Sequence, residues 1–127
     1  HLDSLINNCM NINNCHTYIY KQTEKNMDNV VLLEVFGLLK EIGIVQNEKE
    51  FCKDWLKRSE SYMRQLKFNR AKPSTSCLAI CASKLNHYGN RMVISGKHEH
   101  LGAKFIELSN KCSKQINKEA EAIWVAA

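Results

Sequence analysis

Apolar residues recur every three or four positions through much of this chain, and that spacing, which stacks them on one side of a helix, restricts its fold more than any other feature. Leu32, Val35, Phe36, Leu39 and Ile42 hold the period first, and Gly43 comes next where a left-handed C-cap is wanted. Leu101, Phe105, Leu108, Cys112, Ile116, Ala120 and Ile123 hold it again, predicting a long helix from about His98. A small β-prone run, Met92-Val93-Ile94 between Gly89 and Gly96, predicts a connector or short strand. The expected class is all-α.

Three shorter helices fill the middle. Asn47 with Glu50 three residues on is an N-cap signal of the capping-box type, and Phe51, Cys52, Trp55 and Leu56 line one side of the short helix it opens. Lys57 and Arg58 make a turn, Ser59 is a suitable N-cap, and a helix to about Phe68 puts Tyr62, Met63 and Leu66 inward. Ser61, Arg64, Gln65 and Phe68 then share its outer face. After a loop from Asn69 to Lys72, Pro73 and Ser74 open another helix with Leu78, Ala82 and Leu85 buried, and Gly89 is expected to end it.

At 127 residues the chain suits one domain with a modest core. Residues 1–26 are rich in Asn and weakly patterned, so they predict a polar N-terminal extension, with the compact part beginning at Met27. The expected organisation is the extension, a domain over 27–88, and a connector with the last helix over 89–127.

Charge narrows the function. Lys57, Arg58, Arg64, Lys67, Arg70 and Lys72 stand against Glu60 alone within residues 57–72, a local excess equal to the whole chain's formal +5. An excess gathered into one window points to nucleic acid or another polyanion, and the plainer alternative is a solvated basic face. Six cysteines would permit a disulfide framework. Cys52, Cys77 and Cys81, however, fall in apolar stripes where small core residues serve, which implies free thiols, a reducing compartment and a cytoplasmic location. No apolar run approaches the roughly 20 residues of a membrane-spanning helix.

The run FCKDWLKRSESYMRQLKFNRAKPSTSCLAICASKL, Phe51 to Leu85, resembles the helix-turn-helix domain of the Cro and lambda-repressor-like transcriptional regulators. With the first helix included, the likeness spans roughly residues 29–88. Ser59, Ser61-Tyr62-Met63, Leu66 and Pro73-Ser74 leading to Leu78 look like the family's serine N-cap, recognition helix and proline-serine entry to the next helix. Lys57 and Arg58 stand where the family's turn usually has a glycine and a buried aliphatic, and Lys67 and Asn69 where its next loop often has Glu and Gly. Asn69 accepts a left-handed backbone.

The resemblance implies a helix-turn-helix bundle of four helices followed by a long amphipathic one, and a sequence-specific regulator of double-stranded DNA. Its recognition helix, about 59–68, would enter the major groove. Arg64 would fork guanine O6 and N7, Gln65 adenine N6 and N7, with Glu60 and Ser61 as shorter readers. Lys57, Arg58, Lys67, Arg70 and Lys72 would hold phosphates. Regulators of this architecture act as dimers, and Leu101, Phe105, Leu108, Cys112 and Ile116 offer a narrow stripe to pair with a twin or to pack along the domain. Arg64 and Gln65 also suit a plainly exposed helix, Tyr62, Met63 and Trp55 suit the core, and Phe68 suits either a sugar contact or a cover over the next helix.

Other chemistry finds little footing. Neither Cys9, Cys15 and His16 nor His87, His98 and His100 have a zinc-site spacing, and the Cys77/Cys81 pair lacks a second pair, so no metal is expected. No phosphate loop, nucleophile elbow or carboxylate pair appears, which argues against an enzyme, a cofactor or a small-molecule substrate. The reading from a different class is a helical protein-interaction module that uses the same scaffold without DNA.

Overall fold

The computed structural model describes residues 30–126, and all of their regular structure is helical. The extension expected over 1–26 lies outside the described residues. Two compact units divide between Pro73 and Ser74. The four-helix grouping expected over 27–88 therefore straddles this division, and the fourth helix belongs to the second unit.

In the first unit, α1 (Val30–Glu41) buries Leu32, Val35, Phe36 and Leu39. It stops where expected. Gly43 adopts φ +84, its N–H reaches the Lys40 carbonyl at 3.1 Å, and Ile44 N–H reaches the Leu39 carbonyl at 2.9 Å. This pair of bonds is the Schellman pattern, which closes carbonyls the helix would otherwise leave open. Ile42, Ile44 and Val45 are buried just beyond it.

Next, α2 (Glu48–Glu50) opens on the Asn47 cap, whose side chain accepts the Glu50 N–H at 2.9 Å. It widens into a π-helical turn, Phe51–Trp55, where Leu56 N–H donates to the Phe51 carbonyl at 3.1 Å. The wider turn keeps Phe51, Cys52, Trp55 and Leu56 all buried, and the Phe51 ring meets Phe36 of α1 at 5.4 Å between centroids. Burying such a side chain contributes about 1.5–3 kcal/mol, enough to offset a less regular hydrogen-bond ladder.

Helix α3 (Tyr62–Asn69) begins later than Ser59 predicts. Ser61 holds the N-cap position without a side-chain cap bond, and Ser59 instead accepts the Tyr62 N–H through its carbonyl at 3.0 Å. Met63 and Leu66 are buried, while Tyr62 is only half-buried. A second Schellman pair ends α3, from Arg70 N–H to Lys67 at 3.3 Å and from Ala71 N–H to Leu66 at 2.9 Å. The left-handed residue is thus Arg70, φ +51, and Asn69 is the last helical one.

In the second unit, α4 (Thr75–Ser95) starts on Ser74, whose Oγ accepts the Cys77 N–H at 3.2 Å. Leu78, Ala82 and Leu85 are buried. Gly89 does not end the helix and Met92-Val93-Ile94 are neither connector nor strand: α4 continues to Ser95, and Gly96, φ +73, caps it. Gly89 is buried because it faces Gly102 of α5 (Glu99–Ala126), where either glycine's missing Cβ would collide with the other's backbone oxygen. Farther along, Ser109 Oγ donates to the Ala82 carbonyl at 2.8 Å. The two contacts share one antiparallel register, which sets Thr75 opposite Ile116.

That register accounts for the stripe on the last helix. Leu101, Phe105, Leu108 and Cys112 are buried in the hairpin with α4, so these four positions expected for a twin are occupied within the chain. Ile116 is half-buried, and Ile123 is 76% exposed.

Candidate nucleic-acid interface

The first unit presents one side of α3 to solvent. Met63 and Leu66 point to the core, so the 3.6-residue period turns Arg64, Gln65 and Phe68 outward, and all three are exposed. Ser61 is half-buried, and its Oγ accepts from Gln65 Nε2 at 2.8 Å. The bond holds the Gln65 amide against its own helix; to meet a base edge it must be exchanged. Arg64 has no ion-pair partner among the described residues. With Glu60 it lines a shallow cleft of about 430 Å³ that Asn47, Glu48 and Lys49 complete from the start of α2.

The five cations expected at phosphates fall into two groups. Lys57, Arg70 and Lys72 are exposed around α3. Lys57 occupies the turn before it at φ +59 and Arg70 the left-handed cap after it, so the local backbone fixes where both side chains leave the chain. The other two are engaged. Lys67 Nζ sits 3.0 Å from Glu48 Oε2, with both side chains partly exposed, a pair of the kind that contributes only about 0–1 kcal/mol and gives way readily to a stronger anion. Arg58 is half-buried with its guanidinium 5.5 Å above the Tyr62 ring, and its backbone N–H donates to the Cys52 carbonyl at 2.9 Å. It therefore braces the turn into α3 instead of reaching freely outward.

Two features of this surface escaped the residue pattern. A lysine in the left-handed region has no local signature. The Glu48–Lys67 pair joins residues nineteen positions apart, which becomes visible only once α2 and α3 are packed.

Cys52, Cys77, Cys81 and Cys112 are free, buried thiols, and burial pushes the Cys52 thiol up from its ordinary range, partly opposed by hydrogen bonding to the Met63 backbone. Among the described residues no three of His, Cys, Asp and Glu are grouped to hold a metal ion, while Cys9, Cys15 and His16 lie outside them. No helix of the described residues is long and apolar enough to cross a membrane.

Neither a curated protein nor a solved structure matches the chain. A family model described as a family of unknown function (DUF6626) matches residues 32–125, from α1 through nearly all of α5. The match covers well over half of the sequence, and the chain belongs to the DUF6626 family.

Proposed function

We propose that the chain is a sequence-specific double-stranded DNA-binding regulator of the Cro and lambda-repressor-like helix-turn-helix kind, with α3 as its recognition helix. The observation that carries this is the outward presentation of Arg64 and Gln65 on one helix face between the exposed cations Lys57, Arg70 and Lys72. A planar guanidinium and an amide on adjacent positions are the side chains that fork guanine and adenine in the major groove, and flanking cations supply phosphate contacts. Lys57 adds support: its backbone takes the left-handed state that glycine usually provides in the turn of that family. Free buried thiols fit a reducing, cytoplasmic setting.

DNA half-sites one helical turn apart call for two copies of such a unit. With Leu101, Phe105, Leu108 and Cys112 taken up by α4, we assign the contact between copies to the exposed turns of α5 around Ala120, Ile123 and Trp124.

Titrating the protein into random duplex DNA at two salt concentrations tests the reading. Binding with Kd of about 10⁻⁴–10⁻⁶ M that weakens steeply with salt is expected. Absence of binding at low salt would move the assignment to a protein-interaction module, which the exposed Ile123, Trp124 and Val125 favour.

A further inference from the structure

Phe68 is the most exposed large apolar side chain among the described residues, 87% open to solvent. Its helix does not need it, because Met63 and Leu66 fill the inner side of α3 and the helix ends one residue later. It stands one turn beyond Arg64 on the same outward face, next to exposed Lys67 and near Arg70 and Lys72. The exposed ring offers apolar area that a molecule bound to this face can cover. The cations around it select a polyanion. On the DNA major groove the feature an aromatic ring matches is the 5-methyl group of thymine.

We propose that Phe68 is a specificity-determining residue that packs on a thymine methyl; this rests on the DNA-binding reading above. Helix geometry fixes the place. Four residues of α-helix advance about 6 Å, and base pairs repeat every ~3.4 Å, so the methyl lies roughly two base pairs from the guanine that Arg64 forks.

The experiment uses the full chain and a duplex selected from bound fragments. Each thymine is replaced in turn by deoxyuridine, which removes the methyl and leaves the pairing edge intact. At one position, about two base pairs from the essential guanine, the replacement should weaken wild-type binding about fourfold, the loss expected for one buried methyl. The same replacement should leave Phe68→Ala unchanged, because the partner of the methyl is already gone. Phe68→Ala should melt as the wild type does, since the side chain is exposed.

Two results overturn the assignment while leaving DNA binding intact. One is a wild-type affinity indifferent to deoxyuridine at every position. The other is a Phe68→Ala variant weakened by one factor on every duplex, substituted or not, which would mark sequence-independent contact with sugar. A wild type that binds no duplex at all would remove the DNA reading itself, and this assignment with it.

Discussion

Gly89 and Gly102 face each other so closely that a Cβ on Gly102 would stand 2.7 Å from the Gly89 carbonyl oxygen, and a Cβ on Gly89 2.9 Å from that of Gly102. Both neighbours are backbone and cannot rotate away. Glycine costs each helix about 1 kcal/mol relative to alanine, so alanine would help an isolated helix. Here overpacking, worth about 1–3 kcal/mol, opposes and exceeds that gain. Gly102→Ala should therefore lower the unfolding midpoint in denaturant, with Gly102→Leu lowering it further. A Gly102→Ala protein more stable than the wild type would show that the hairpin separates at little cost.

The same pair explains one part of the fold the sequence hid. Gly89 carries the local signature of a helix end, and its true role depends on a glycine thirteen positions away on another helix. Gly43 was legible because the Schellman closure of α1 is made within six residues, from Leu39 to Ile44. Asn47 was legible for the same reason. The outward face of α3 came from the helical period alone, since Met63 and Leu66 fix the inner side. The partner of each outward group did not. The Lys67–Glu48 pair and the Arg58–Tyr62 stack arise from packing between segments or from the turn's φ angles, and periodicity encodes neither. The long apolar stripe of α5 was visible, but whether its partner was α4 or a twin depended on α4 running to Ser95.

The caps separate by side chain. Asn47 accepts the Glu50 N–H, whereas Ser61 holds the N-cap position of α3 without such a bond. Asn47→Ala should cost about 1 kcal/mol in chemical denaturation. Ser61→Ala should cost less, because it removes only the exposed bond from Gln65. An Asn47→Ala loss of only a few tenths of a kcal/mol, no larger than that of Ser61→Ala, would mean that Asn47 does not act as a cap in solution.

On the proposed DNA-binding reading, Arg64 and Lys72 should fail differently. Arg64→Ala is expected to lose about 1–3 kcal/mol on the selected site and to relax the preference at one base pair. Lys72→Ala should weaken binding nearly uniformly across sequences and reduce the salt slope by about one unit. Binding isotherms at several salt concentrations on the selected and scrambled duplexes distinguish the two. A Lys72→Ala variant that alters sequence preference would reverse the assigned roles.

Burial raises the Cys52 thiol above its ordinary range, so the folded protein holds its proton more tightly than the unfolded chain does. Linkage sets the sign. Stability from keeping this thiol neutral is complete below the unfolded thiol pKa and is lost as pH rises through the higher folded value. Near pH 8.5, where an exposed thiol is about half ionised, alkylation of Cys52 should be slow in the native state and fast in denaturant. Peptide mapping after timed alkylation reads this directly, and rapid native labelling would show that the first unit opens around α2.

Beyond Ile116 the register of the α4–α5 hairpin gives α5 no further α4 residue to pack on, and the side chains reflect it. Ile123 and Trp124 are 76% and 67% exposed, on turns that continue the helix for about 15 Å past that point. Apolar groups on a helix free of its hairpin partner favour association with a second apolar surface, and the proposed DNA-binding reading makes a copy of the same helix that partner. Ile123→Glu and Trp124→Glu together should shift the mass in light scattering towards the monomer at micromolar protein. The melting of the hairpin should change little, because the buried stripe from Leu101 to Cys112 is untouched. A wild type already monomeric at high concentration would sink this assignment, whereas dimers undiminished by the double variant would place the contact elsewhere.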